Sequence, residues 1–165
     1  MDKYYYVVAQ LPLLAFDRET YMTTDLFLEE AEKWLSPSDY AILSHMRYDS
    51  TQAPNNAPRL LKAYVDWEYR FRTDLAQWRK AVKEGQDYKP EYFSASLVKE
   101  NDPLEVEKAL LKRRWSYIDE VEPDHHFDLE FLILYFFKLQ ILEQLALYQK
   151  EKGLEIFQKL SKVDI

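Results

Sequence analysis

The residues best suited to metal chemistry cluster in the segment EPDHHFDLE, residues 122–130. The candidate ligands are Glu122, Asp124, His125, His126 and Asp128. Imidazole nitrogens and carboxylate oxygens are ligands that zinc and iron accept. A di-iron helical bundle uses two E-x-x-H motifs on facing helices and two further glutamates. This chain has one such motif, Glu122 to His125, and Pro123 lies inside it.

The same segment also fits the start of a helix. Asp124 and Asp128 are carboxylates placed just before a long apolar stretch, where they can cap backbone N–H groups and complement the helix dipole. The two histidines would then lie exposed beside them. We therefore favour helix capping for this segment, with a metal site formed by Glu122, His125, His126 and Asp128 as the alternative.

Other catalytic signatures are missing from the sequence. His45 lies in LSHMRYD without a recognisable base or nucleophile nearby, and there is no nucleophile elbow. The two glycines, Gly85 and Gly153, stand alone, so neither a Walker A loop nor a dinucleotide fingerprint occurs. With no cysteine, the chain has no thiolate chemistry, and this composition fits a reducing cytoplasm. The sequence predicts a protein that is not an enzyme and has no cofactor.

The net charge of the chain limits the classes of partner that it is expected to bind. The formal net charge is −7, which argues against a general nucleic-acid binder because such a protein needs a basic stripe. The basic run Lys112-Arg113-Arg114 is short, and we interpret it as a solvated helix face. No uninterrupted apolar run approaches the roughly 18 residues of a membrane span, so we expect no direct membrane insertion.

The elements that position these residues are predicted to be helices, since two glycines are too few for a hairpin-rich protein. Asp66 and Arg70 form an i,i+4 ion pair expected on the polar side of the central helix. Glu68 and Arg72 form a second pair of the same kind. This amphipathic helix ends near Gly85. Its apolar face repeats at spacings of three and four, through Leu60, Tyr64, Trp67, Phe71, Leu75, Trp78 and Val82.

Capping signals mark the helices that precede it. Residues 24–46 predict two short helices, the first capped by Thr24 and the second by Ser36. Asp39 would complete a capping box with Ser36. The turn-rich stretch STQAPNNAP, residues 50–58, is predicted to link them to the central helix.

The C-terminal part of the chain predicts two long helices. One begins at Asp102, which precedes a proline at the first helical position. The other begins near Asp128 and is expected to break or bend at Gly153 before a tail helix. Residues 131–137 are apolar on every side, as in a helix buried in the middle of a bundle.

The chain opens with an apolar run, YYYVV, that has several interpretations. A secretory signal is not expected, because Pro12 interrupts the run and no small-residue cleavage site follows. Tyr4, Val8 and Leu11 share one face at helical spacing, so we predict a tether that packs on the core. A two-stranded ribbon with residues 91–98, which alternate in polarity, is the alternative.

Three stretches together carry a resemblance to a known family. They are YYYVVAQLPLLAFD followed by FLEEAEKWLSPSDYAIL, then WEYRFRTDLAQWRKAVKEGQ, and finally PLEVEKALLKRRWSYIDEVEPDHHFDLEFLILYFFKLQILEQLALYQKEKGLEIFQKL. The pattern resembles a bacterial family of unassigned function whose members are encoded among the subunits of V-type ATP synthases. That family is similar to a short form of the C (or d) subunit, an all-helical wedge between the proteolipid ring and the central stalk.

The resemblance implies a non-catalytic subunit or accessory factor of a V-type ATPase. Its partners would be the central stalk and the membrane ring, and its location cytoplasmic, peripheral to the inner face of the membrane. No catalytic residues are carried over, because the compared subunit has none. A helical adaptor of another complex and a small metal-binding protein or enzyme remain as alternatives.

Periodicity and composition lead to a definite expectation for the fold. We predict an all-α protein, a single helical bundle of about six helices that occupies residues 1–165. The alternative at the N terminus is a short extended segment.

Overall fold

The computed structural model describes residues 3–99 and 102–163. Within these residues the chain forms six α-helices, one 3₁₀ helix and no strand, which confirms the all-α bundle. The elements in chain order are α1 (Lys3–Val8), α2 (Thr24–Trp34), α3 (Pro37–His45), α4 (Arg59–Lys83), the 3₁₀ helix Ala95–Val98, α5 (Pro103–Val121) and α6 (Leu129–Val163).

The first half of α6 forms the centre of the bundle. Every side chain from residue 132 to residue 142 is buried. The predicted all-round burial of residues 131–137 is therefore confirmed except at Phe131, which is half-buried. Helices α2, α3, α4 and α5 all pack against α6. Ring contacts hold the centre together: Phe27 of α2 stacks on Tyr135 and Phe136, and Tyr64 of α4 lies 4.8 Å from Phe137 between ring centroids.

A second, smaller apolar cluster lies between α4, the 3₁₀ helix and α5. Its buried members are Trp67, Phe71, Leu75, Phe93, Val98 and Leu110. The Trp67 ring stacks on Tyr117 of α5 with centroids 4.1 Å apart, which joins this cluster to the central one. The alternating residues 91–98 therefore form a loop and a 3₁₀ turn that fill the cluster. The alternative of a strand here is wrong, since α1 is helical and offers no partner strand.

Helix α4 ends as its sequence predicts. Gly85 has φ of 70°, a left-handed conformation that suits glycine, and Gln86 N donates to Ala81 O at 2.8 Å, as in a Schellman motif. The predicted apolar face is wrong at its end, because Val82 is 57% exposed and Ala81 is buried instead. At this turn the bundle packs against the side of the helix that carries Ala81.

The start of α2 is capped by Thr23, one residue before the predicted Thr24. The Thr23 hydroxyl accepts a hydrogen bond from Leu26 N at 3.1 Å. Thr24 instead donates through both its backbone N and its hydroxyl to Glu143 of α6, at 3.0 Å each. The tertiary bond to α6 explains why the local preference for Thr24 as the cap was wrong.

At the start of α3, only one of the two hydrogen bonds of the predicted capping box is present. Ser36 caps the helix and accepts from Asp39 N at 3.2 Å. The Asp39 carboxylate does not complete a capping box with Ser36, because it accepts a 2.5 Å hydrogen bond from the Tyr4 hydroxyl. The residue predicted to cap α3 locally therefore attaches α1 to α3.

The N-terminal run is a helix that packs on the core, so the extended alternative is wrong. Tyr4, Val8 and Leu11 lie half-buried against the central cluster, which confirms the predicted tether, and Val7 is fully buried. The segment that follows is held by the Tyr135 hydroxyl, which donates to Pro12 O at 2.6 Å.

Helix α5 begins at the predicted residue. Asp102 accepts a hydrogen bond from Leu104 N at 3.1 Å, and Pro103 occupies the first helical position. Helix α6, by contrast, runs without interruption past Gly153, so the predicted break is wrong. A single glycine disfavours a helix by about 1 kcal/mol, which is too little to end one that is already formed on both sides.

Helix α6 also bears on the question of membrane spans. Residues Leu129–Lys162 are long and apolar enough to cross a membrane by length and composition, and 67% of the apolar window is buried inside the bundle. A search for uninterrupted apolar runs does not detect this helix, because Lys138 and Gln140 lie within it. The buried core helix of a bundle meets the same length and composition criterion.

The buried position of α1 generates a stability prediction. Val7→Ala removes two buried methyl groups and leaves a cavity, so the free energy of unfolding should fall by about 2 kcal/mol in urea denaturation. Leu13→Ala is the matched control, because Leu13 is fully exposed and should leave that free energy unchanged. Equal effects of the two changes would contradict the packing of α1 on the core.

Candidate functional site

The candidate metal ligands lie at the corner between α5 and α6. His125 Nδ1 is 2.7 Å from Asp128 Oδ2, and Phe131 N donates to Asp128 Oδ1 at 2.8 Å. Asp128 therefore caps α6, in accord with the helix-start interpretation. The expected exposure of His125 is wrong, because its ring packs against Asp128 and is half-buried. Glu130, which the sequence interpretation missed, completes a group with His125 and Asp128 in which the ligand atoms all lie within 4.8 Å of one another.

Glu122 and His126, which were candidate metal ligands, lie outside the group formed by His125, Asp128 and Glu130. Glu122 accepts from Lys138 Nζ at 2.8 Å, and Asp119 lies 2.8 Å from the same nitrogen. This buried ammonium also lies 5.1 Å from the centroid of the Trp115 ring. His126 is exposed. The structure thus joins His125 to Asp128 and directs the Glu122 carboxylate to Lys138.

The third histidine, His45, has a local role at the end of α3. Its Nδ1 lies 2.8 Å from Ala41 O, the distance of a hydrogen bond to a carbonyl in the last turn of the helix. The side chain is exposed, and its other polar neighbour is the Ser44 hydroxyl at 3.3 Å. This is a helix-end contact of a common kind.

A buried ion pair lies between α4 and α5, where the sequence predicted solvent-exposed charges. Glu68 is 1% exposed, and both of its carboxylate oxygens accept from Arg114 Nε. The guanidinium group lies over the rings of Tyr48 and Phe71, at 5.5 and 5.0 Å from their centroids. The predicted partner, Arg72, is a more distant 3.8 Å from Glu68.

The basic run at residues 112–114 is therefore only partly a solvated face. Lys112 is exposed as predicted. Arg113 donates to Tyr92 O at 2.8 Å and lies over the Trp67 ring, and Arg114, whose side chain is 11% exposed, pairs with Glu68. Two of the three cations are used for packing α5 against α4 and the loop after it.

Burial changes the acid–base properties of this region. Desolvation raises the pKa of Glu68, and the positive charge of Arg114 opposes that rise. The pKa of Tyr64 lies well above its usual range because the phenol is fully buried. Its hydroxyl donates to Tyr48 O at 3.0 Å. These groups are satisfied by one another and have no access to a substrate, so we interpret them as structural.

A second buried carboxylate, Asp74, fixes the loop after α4. It accepts from the Tyr88 hydroxyl at 2.5 Å and from the backbone N–H groups of Glu91 and Tyr92 at 2.8 and 2.9 Å. The hydrogen bond to Asp74 raises the pKa of Tyr88 to about 12. The sequence carried a signal for this role, since Asp74 falls between Phe71 and Trp78 on the apolar stripe.

An open groove runs between residues 17–23 and α6. It has a volume of about 540 Å³ and an apolar floor that includes Leu139 and Leu142. Two of its carboxylates have protein partners: Asp17 binds Lys108 and Gln149 at 2.7 Å each, and Glu143 binds Thr24. These two groups therefore serve to hold the fold together.

At the C-terminal end of α6, the surface exposes apolar side chains of the kind that a helical bundle usually buries. The last ion pairs that hold it to the bundle are those of Lys152 with Glu105, at 2.7 Å, and with Asp102, at 3.9 Å. Beyond them every described side chain is exposed. The large apolar ones are Leu154, Ile156, Phe157 and Leu160. These exposed residues form the candidate interaction site.

The fold and this site together define a helical bundle with an exposed apolar helix end. A family model described as "Protein of unknown function (DUF2764)" matches residues 80–163, which include α5 and all of α6. The chain belongs to the DUF2764 family, an uncharacterised family as the sequence resemblance implied. No curated protein and no solved structure matches the chain.

The buried ion pair generates a second prediction. Glu68→Ala leaves the Arg114 cation buried without its main partner, so the free energy of unfolding should fall by about 3–5 kcal/mol. Asp66→Ala is the matched control on the same helix, because Asp66 and Arg70 form an exposed i,i+4 pair. It should change that free energy by less than about 0.5 kcal/mol. Similar losses in both variants, measured by urea denaturation, would contradict the structural importance of the buried pair.

Proposed function

We propose that this protein is a non-catalytic subunit or accessory factor of a V-type ATPase, similar to the C (d) subunit. It acts in the cytoplasm, peripheral to the inner face of the membrane, and links the central stalk to the membrane ring. Its partners are the stalk and ring subunits, and it binds no nucleic acid and does not insert in the membrane.

The observation that carries the proposal is the exposed apolar end of α6. Leu154, Phe157 and Leu160 are each more than half exposed, on a chain whose other long helices bury their apolar faces. Exposed apolar residues grouped on one surface are typical of a protein-binding site. The sequence resemblance to a family encoded among V-type ATPase subunits indicates which partner to test.

The interior supports a mechanical role. Eleven consecutive residues of α6, 132–142, are buried, and ring contacts connect this helix to α2 and α4. Close-packed interiors deform little, so a load applied to one end of α6 would be transmitted through the bundle. A connecting subunit of a rotary machine requires this kind of stiffness.

Purification of the tagged protein from its native organism tests the proposal. We expect V-type ATPase subunits of the central stalk and ring to be recovered in stoichiometric amounts, and absent from a parallel purification with an untagged strain. Recovery of a different, defined complex would favour the adaptor alternative. A preparation that contains no ATPase subunit would overturn the proposal.

A metal-binding protein is the second candidate, favoured by the group formed by His125, Asp128 and Glu130. Against it, Asp128 already caps α6, and the positive end of a helix dipole repels a cation. We therefore expect excess zinc to leave the melting temperature of the purified protein unchanged. A rise of several degrees that His125→Ala abolishes and His45→Ala preserves would establish metal binding at this corner.

A further inference from the structure

The α6 tail, defined as residues 153–162, projects from the bundle as an isolated helix. Its ten residues correspond to about 15 Å of helix, and each side chain is exposed. The tail continues a helix that is already formed, so it has no nucleation cost. It gains no stabilisation, however, from packing against the rest of the chain that the structure describes.

The tail is strongly two-sided. At about 100° per residue, Ile156, Leu160, Phe157 and Leu154 fall within an arc of about 160°. The opposite side carries only polar residues: Glu155, Gln158, Lys159 and Lys162. The most exposed apolar side chain is Phe157, at 67%. An apolar arc of this width on a projecting helix is suited to burial in another structure.

Gly153 leaves room for a close neighbour on the apolar side of the tail. It lies on the apolar side of the tail, between the directions of Leu160 and Phe157, and no atom lies within 4 Å of where its Cβ would be. Glycine at a helix interior is about 1 kcal/mol less favourable than alanine. The isolated chain has no packing reason to keep it, whereas a partner backbone could approach the helix closely at that point.

A second copy of the chain does not suit this surface. Two α-helices that pair by themselves use a narrow stripe of a and d positions, and the tail offers a much wider arc. A pair of helices about 15 Å long would also bury far less than the roughly 1,200 Å² of a stable, specific interface. Each chain has a net charge of −7, so two copies would repel one another.

A lipid surface is also a poor match. Interfacial helices carry a polar side rich in Lys and Arg that binds anionic headgroups. The polar side of the tail mixes Glu155 with Lys159 and Lys162, and the acidic body would be repelled by an anionic membrane.

Neither lysine forms an ion pair with any residue in 3–99 or 102–163.

We propose that the α6 tail inserts into an apolar groove between helices of a partner protein, with a carboxylate beside the groove that pairs with Lys159. A groove formed by at least two helices covers the full apolar arc, and the carboxylate complements Lys159, which lies about 60° round the helix from Ile156. This inference rests on the proposed function for the identity of the partner, which is a V-type ATPase subunit.

The experiment compares three tagged proteins expressed in the native organism. The test variant is Leu154→Glu with Phe157→Glu, which places two charges in the apolar arc. The matched control is Tyr69→Glu with Val82→Glu, which changes two equally exposed apolar residues on α4. Both variants should keep the melting temperature of the wild type within about 2 °C, because all four side chains are exposed.

We expect the wild type and the control to recover equal amounts of ATPase subunits, and the test variant to recover at least about tenfold less. Lys159→Glu should also reduce recovery. Equal recovery by the test variant would overturn the inference and leave the proposed function standing. If the wild type recovers no ATPase subunit, both are wrong.

Two further measurements decide between the occupants. Light scattering of the purified wild type should give a monomer. A dimer that the test variant converts to a monomer would show that a second copy covers the tail, and would overturn the inference. Sedimentation with phosphatidylserine vesicles should leave the protein in the supernatant, and binding that the test variant abolishes would instead identify a lipid surface.

Discussion

The burial of residues 132–142 of α6 on every side is the constraint from which the rest of the structure follows. Two polar side chains lie within this stretch, and each must find partners because an unsatisfied buried polar group destabilises the fold. Gln140 accepts from Tyr48 N at 2.9 Å and donates to Met46 O at 3.0 Å, which attaches the loop between α3 and α4 to α6. Lys138 binds Asp119 of α5 and Glu122, which follows that helix. The central helix therefore determines where its neighbours lie as well as what they cover.

One continuous helix thus serves two purposes. Its first half is the core of the bundle, and its end extends past Lys152 into solvent with an apolar side. Because the helix is not interrupted at Gly153, the exposed end is rigidly continuous with the most buried part of the molecule. The buried Glu68–Arg114 pair and the Asp74 contacts hold α5 and the following loop of α4 in place. A stiff body with an exposed helical end is a suitable design for a protein that connects two parts of a larger assembly.

The sequence predicted the elements well where the pattern was periodic and poorly where tertiary contacts compete with local preference. The apolar stripe through Tyr64, Trp67 and Phe71 defined α4, and the Asp102 cap defined the start of α5, because these signals act within a single helix. Glu68 was assigned to the surface because its i,i+4 partner was visible in the sequence, whereas Arg114 is 46 residues away. An acid on an apolar stripe, as at Glu68 and Asp74, is the signal that would have indicated a buried carboxylate. For the candidate site, the tail was predicted as a helix, but its exposure depends on where the bundle ends, which no local pattern encodes.

Amide hydrogen exchange along α6 tests the central claim that the first half of this helix forms the core and that its tail, residues 153–162, docks on a partner. In the free protein, residues 132–142 should exchange only through global unfolding, and residues 153–162 should exchange rapidly because no residue in 3–99 or 102–152 covers them. In the complex that we propose with V-type ATPase subunits, the rapidly exchanging segment should become strongly protected while the core is unchanged. Protection of residues 153–162 in the free monomer, or equally rapid exchange with and without the complex, would contradict the account.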